Sequence, residues 1–204
     1  MLLPGVLEQK WFANLENVIN QKASDIVFIT AARLVKQKRI DVLLRTLERI
    51  QGQNFRYIIA GDGPERNTLE AIVQKSKVLK GRVSFKGMVD QTELMQLYDR
   101  SSFMLLISTN ESFGLVYLEA MARGCIPVGT KGEGIDGVII NGTNGFLVDP
   151  DSESIKNLLE TIIEMKPEAL IEMSKLARET AENFMCDKVA DEFISFAKTK
   201  ASIV

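Results

Sequence analysis

The feature that most constrains this chain is an alternation. Short runs rich in β-branched and aromatic residues are separated by stretches in which apolar residues recur at helical spacing. Residues 25–32 read as a buried strand, and the segment that follows, residues 38–50, sets Ile40, Leu43, Leu44 and Leu47 on one helical face. Residues 55–61, 82–87 and 103–108 read as further strands, with 125–130 and 145–149 as the last short ones. Helices are expected at 64–77, with Pro64 as first residue, from an Asp90 cap to about residue 100, and at 115–123, stopped by Gly124. From Asp151 onward the pattern is helical throughout, with stripes at Ile155, Leu158, Leu159 and Ile162, then at Leu170, Met173, Leu176 and Ala177. A final helix is expected around Val189, Phe193 and Phe196. Strands alternating with helices imply a parallel sheet covered on both faces, with right-handed crossovers. The expected fold is therefore α/β: a Rossmann-like parallel sheet with helices on both faces and a helical C-terminal tail. Ligands of such sheets bind beyond the C-terminal ends of the strands.

Charge and residue usage exclude several functions. With 25 basic against 27 acidic residues the net charge is −2, so nucleic acid is not expected as a partner and any anion site must be local. The chain has no histidine, which removes Ser–His and Cys–His catalysis and the commonest zinc ligand. Two cysteines, Cys125 and Cys186, do not make a disulfide framework, and a reducing cytoplasm is the simpler setting. No apolar run approaches the roughly 18 residues that a membrane span needs, and no signal peptide is recognisable.

Three segments carry chemistry-bearing residues at expected strand ends. Arg33 and Lys38 follow the first strand and precede a helix, so two cations and free backbone N–H groups stand where a diphosphate would bind. Taken without context, the same loop reads first as a solvated basic turn. Glu111 lies just past the fourth strand, Ser112 is an expected N-cap, Gly114 permits close backbone approach, and Glu119 follows eight positions on. If the intervening residues were helical, the two carboxylates would stand about 12 Å apart, the span between the sugar and ribose ends of a nucleotide sugar. An ordinary capped helix with acidic residues near its start fits that segment equally. The third segment, Gly61-Asp62-Gly63-Pro64, is read as a turn, because Arg66 stands where a dinucleotide fingerprint has its third glycine. Residues 132–137 match the spacing G-x-G-x-x-G, but neither the helix nor the acidic residue of that fingerprint follows. No cluster with metal-ligand spacing is visible.

In this order and at these separations, the segments resemble the C-terminal domain of the retaining family-four glycosyltransferases, which have the two-domain GT-B architecture. The resemblance covers about residues 28–163. It rests on Arg33-Leu-Val-x-x-Lys38, Gly61-Asp-Gly-Pro64, Phe85-x-Gly87-x-Val89, the stretch from Glu111-Ser-Phe-Gly-Leu115 through Glu119-Ala-Met-Ala-Arg-Gly124, and Asn144-Gly-Phe-Leu-Val148. It implies a donor-binding domain that moves a sugar from a UDP-, GDP- or ADP-sugar to an acceptor with retention of configuration, in polysaccharide, lipid or glycoconjugate synthesis. It further implies that Arg33 and Lys38 hold the diphosphate and Glu111 contacts the transferred sugar. Ser112, Phe113, Gly114 and Leu115 would form the turn that approaches the distal phosphate, Glu119 would accept from the ribose hydroxyls, and Gly61 and Val89 would line the nucleotide site. No metal and no other cofactor is expected.

This sequence departs from the family pattern in places. Ala32, Arg39 and Ser112 stand where the family often has glycine, and Ile135-Asp136 replaces the usual Pro-Glu, leaving Glu133 and Asp136 as residual candidates for sugar contacts. The expected division is residues 1–24 as interdomain connector and helix, 25–165 as the nucleotide-sugar domain, and 166–204 as C-terminal helices. The acceptor and a first domain would lie outside this chain, which alone would be inactive. A cytoplasmic setting is expected, with peripheral membrane association of the full-length enzyme at the inner face left open. The rival readings are a sugar-nucleotide epimerase of the same architecture, a non-catalytic nucleotide-binding module, and an unrelated oxidoreductase that would need the missing glycine fingerprint.

Overall fold

The computed structural model describes residues 7–13, 26–50, 54–190 and 194. Six strands form one sheet: β1 (Val27–Ala31), β2 (Arg56–Ala60), β3 (Val83–Gly87), β4 (Phe103–Leu106), β5 (Ile126–Thr130) and β6 (Phe146–Val148). Their order is β3-β2-β1-β4-β5-β6, and every neighbouring pair is parallel. The helices are α1 (Ile40–Glu48), α2 (Arg66–Lys75), α3 (Gln91–Asp99), α4 (Leu115–Ala122), α5 (Ser152–Ile163) and α6 (Pro167–Glu182), with 3-10 turns at Gln9–Phe12 and Lys36–Lys38.

Period-two alternation divides the strand residues between two cores. Phe28, Phe103 and Leu105 enter the core covered by α1, α2 and α5, where Leu43, Leu44, Leu69, Val73, Ile155 and Leu159 are buried. Ile29, Ala31, Met104 and Leu106 enter the opposite core, covered by α3, α4 and α6 and closed by Trp11. Helix α6 spans both: Leu170 and Met173 join the first core, Ala177 and Ala181 the second. The apolar stripe on this part of the C-terminal tail is thus taken up within the chain. Thr30, the polar residue inside β1, is satisfied by the Leu105 carbonyl at 2.5 Å and the Tyr57 hydroxyl at 2.6 Å.

The N-terminal residues are tied in by polar contacts. The Leu7 N–H donates to the Phe184 carbonyl, and the Cys186 N–H donates back to Leu7. The buried Arg123 guanidinium makes two 2.7 Å bonds to the Asp99 carboxylate and donates to the Trp11 and Ala13 carbonyls. Cys125 is buried and Cys186 exposed, and neither forms a disulfide.

Two helix starts differ from expectation. Helix α2 begins at Arg66, not Pro64, and the Glu65 N–H just before it donates to the Leu34 carbonyl. Helix α4 is capped by Gly114 in the left-handed region (φ 72°), so Ser112 is not its N-cap. The Asp90 and Asp151 caps form as their side chains allow, the first accepting from Glu93 N and the second from Glu153 N and Ser154 N. Of the final helix, residues 186–190 are helical, whereas Phe193 and Phe196 lie outside the described residues, as do residues 1–6 and 14–24 of the expected connector. Among the described residues, no helix is long and apolar enough to cross a membrane.

Candidate functional site

The sheet's C-terminal edge opens where β1 leads on to two neighbours, β2 and β4, the topological switch point of such sheets. There a cavity of about 490 Å³ is lined by Arg33, Gly61, Val89 and Glu119, four of the residues singled out in the sequence. Its walls are otherwise mostly apolar, with Leu94 and Val116 among them and the exposed Met88 on the lip. Sequence reasoning missed these three, although Val116 stands three residues before Glu119 on one helical face and Met88 adjoins Val89.

Glycine is required at one wall. The β2 turn closes onto the loop after β1 through Ala32 N–H to Ala60 O at 3.0 Å and Leu34 N–H to Asp62 O at 2.9 Å. Gly61 has φ 125°, and a Cβ there would stand 1.9 Å from the Ala32 carbonyl oxygen. The turn is thus a spacer that brings two strand ends together. Asp62 beside it is held below the usual carboxylate range, by the Gly63 N–H first and then by Arg66.

Glu119 faces this cavity from α4. Burial raises its carboxyl above the usual range, which makes it a costly charge unless hydrogen-bond donors arrive. The Tyr98 hydroxyl behind it is pushed up by burial, with a smaller contribution from the charge on Glu119.

Next to the cavity, the loops after β1 and β4 meet. Lys38 Nζ lies 2.5 Å from Glu111 Oε2, and Ser108 Oγ donates to the same oxygen at 3.1 Å. The backbones also join, through Thr109 N–H to Gln37 O at 3.0 Å. Arg39, where the family often has glycine, adopts a left-handed φ of 50° and sends its guanidinium to the Pro150 carbonyl at 2.6 Å. A side chain in that conformation costs about 1–2 kcal/mol, a cost that glycine avoids.

The turn into α4 brings Gly114 against Tyr117 and Glu111, with no room for a Cβ beside the Tyr117 ring. Of the first N–H groups of α4, that of Tyr117 donates to the Gly114 carbonyl at 2.9 Å, and those of Leu115 and Val116 have no partner within the helix. Phe113 packs on Phe184 at 6.1 Å between ring centroids, and Ser112 is exposed with its carbonyl against Gly134. Neither lines the cavity, and Leu115 is exposed. Because residues 111–114 are not helical, the expected helical spacing between Glu111 and Glu119 does not apply.

Glu133 and Asp136 are both engaged by backbone. Glu133 accepts from the amides of Asn110 and Glu111, and Asp136 accepts from Gly132 N at 2.8 Å. Among the described residues, no group of three or more His, Cys, Asp or Glu side chains is placed to hold a metal ion.

The chain is 33% identical over 174 residues to N-acetyl-alpha-D-glucosaminyl L-malate synthase of Bacillus anthracis, covering 83% of this chain and 44% of that protein. It is 29% identical over 165 residues to alpha-monoglucosyldiacylglycerol synthase of Acholeplasma laidlawii, covering 80% of this chain and 41% of the other. The fold matches Anabaena HepE, solved with UDP and glucose, at a TM-score of 0.79 and 22% identity, over 95% of this chain and 55% of that one. The chain therefore spans less than half the length of these two curated relatives. The family model for glycosyl transferases group 1 matches residues 12–183, and the chain belongs to that family.

Proposed function

We propose that this chain binds a nucleoside diphosphate sugar and supplies the donor half of a retaining glycosyltransferase. The observation that carries the reading is one constellation at the strand ends. An apolar-walled cavity is lined by both Glu119 and Arg33, and the Lys38–Glu111 pair adjoins the start of α4. The base and ribose would occupy the cavity, with Glu119 accepting from the ribose hydroxyls. The diphosphate would lie across Arg33, Lys38 and the N-terminus of α4, and the sugar would reach Glu111.

As the bond between the sugar and the β-phosphate breaks, negative charge grows on the phosphate. Arg33, Lys38 and the α4 amides would stabilise that charge, and losing one such group would cost on the order of 10²–10³ in rate, as for oxyanion donors. Two cations and a helix terminus provide the charge that a divalent metal provides elsewhere, so binding without metal is part of the proposal. The acceptor, and the wall that excludes water during transfer, would come from a further domain.

Calorimetric titration with UDP, GDP and ADP in EDTA, beside Lys38→Ala, tests this. One nucleotide should bind, and the variant should lose it. A folded chain that binds none of the three, or binds only with magnesium, refutes the site as described.

A further inference from the structure

We propose that Glu133 is a positioning residue that fixes the sugar-facing carboxylate of Glu111. This rests on the donor-site reading above and adds to it a residue that touches neither nucleotide nor sugar. Asn110, just before Glu111, has φ 59°, in the left-handed region that Asn enters more readily than other side chains but less freely than glycine. An outside hold fixes this turn. Glu133, 22 residues beyond Glu111 in the chain, supplies it: Oε1 accepts from Asn110 N at 3.0 Å and Oε2 from Glu111 N at 2.6 Å.

One carboxylate therefore spans two consecutive amides, the arrangement in which a backbone concavity binds an anion. The clamp closes from the other side, where Gly134 N donates to the Glu111 carbonyl at 3.0 Å. Gly134 itself lies so close that a Cβ would stand 1.9 Å from the Ser112 carbonyl oxygen. The segment after β5 thus grips the backbone on both sides of Glu111, while Lys38 and Ser108 hold its side chain. With each carboxylate oxygen on a backbone amide, Glu133 acts on the sugar only through Glu111.

Glu133→Gln keeps the size but replaces one acceptor with an N–H donor that must face an amide proton. Affinity for UDP-glucose, GDP-mannose and ADP-glucose is measured against that for UDP, GDP and ADP, in parallel with amide hydrogen exchange. For the base that the wild type selects, the variant should lose about tenfold in nucleotide-sugar affinity, the lower end for hydrogen bonds to a charged group. Its affinity for the bare nucleotide should stay within twofold. Exchange at Asn110 and Glu111 should accelerate while the core strands keep their protection. Equal losses for sugar and bare nucleotide would mean that Glu133 is merely structural and overturn the proposal, as would unchanged exchange at those two amides. A wild type that binds no nucleotide sinks the donor-site reading instead, and the exchange result then decides the clamp by itself.

Discussion

Replacing Glu119 with Gln should separate stability from binding. In the folded chain burial holds this carboxyl above its ordinary range, whereas in the unfolded chain it titrates normally. The folded state therefore binds the proton more tightly. The carboxyl's contribution to stability is present below the ordinary carboxylate range and is lost as pH rises through the raised folded value. At pH 7 the ionised group is a cost that a neutral Gln removes, so the variant should melt higher than wild type at pH 7, by a margin that shrinks toward pH 4. Binding should move the other way. A charged acceptor facing ribose hydroxyls contributes about 1.5–3 kcal/mol, or roughly 10- to 150-fold in Kd. Gln keeps one acceptor oxygen, which points to the lower half of that range. Calorimetry with the selected nucleotide and thermal melts at both pH values provide the measurements. Wild-type affinity should also fall as pH drops through the raised Glu119 value, while the variant's profile stays flat there. A variant that binds within twofold of wild type, or that melts lower at pH 7, refutes the placement of Glu119 as a desolvated ribose acceptor.

Two further predictions concern the frame. Arg123→Met leaves Asp99 and the carbonyls of Trp11 and Ala13 without their shared donor. It should cost about 3 kcal/mol in urea unfolding, the low end for one partner of a buried pair, because the Asp99 side chain stays 24% exposed; Arg49→Ala, at an exposed pair with Glu153, should stay within about 0.5 kcal/mol. Gly61→Ala meets both a left-handed φ and the Ala32 carbonyl, so it should lower stability by more than about 1 kcal/mol. A melting temperature equal to wild type would contradict the close approach of the two strand ends.

The strands were legible because β1, β4 and β5 are short buried runs and β3 alternates along its length, both set against helical neighbours, a contrast that local pattern captures. The Asp90 cap was legible for the same reason, since a cap is a contact over two or three residues. Ser112 and Pro64 misled because each is only one of several residues able to start a helix nearby: Gly114, left-handed against the Tyr117 ring, caps α4 instead, and α2 starts two residues past Pro64. The site residues were named in order from their resemblance to a family, but no spacing rule sets Arg33 and Glu119 on one cavity. Glu133 shows the limit most clearly. Its carboxylate looked available to a sugar, and only the fold reveals that two backbone amides far back in the chain engage it.

The Lys38–Glu111 pair bears on which ligand the site prefers. Without a ligand, cation and carboxylate neutralise each other, with side chains only 23% and 15% exposed. A bare nucleoside diphosphate would draw Lys38 to its phosphates and leave Glu111 part-buried with Ser108 as its remaining side-chain donor. Removing one member of a desolvated pair is expensive because the other charge stays behind. A nucleotide sugar avoids that cost, since its hydroxyls can donate to the carboxylate as Lys38 leaves. The donor with its sugar should therefore bind more tightly than the nucleotide alone. Glu111→Gln should narrow the gap by two effects at once: bare nucleotide binds more tightly because there is no ion pair to break, and the sugar's increment shrinks. Calorimetry on four combinations, wild type and variant with nucleotide and nucleotide sugar, measures the coupling directly. If the variant loses the same factor for both ligands, Glu111 is part of the loop's structure, and the exchange of partners proposed for Lys38 is wrong.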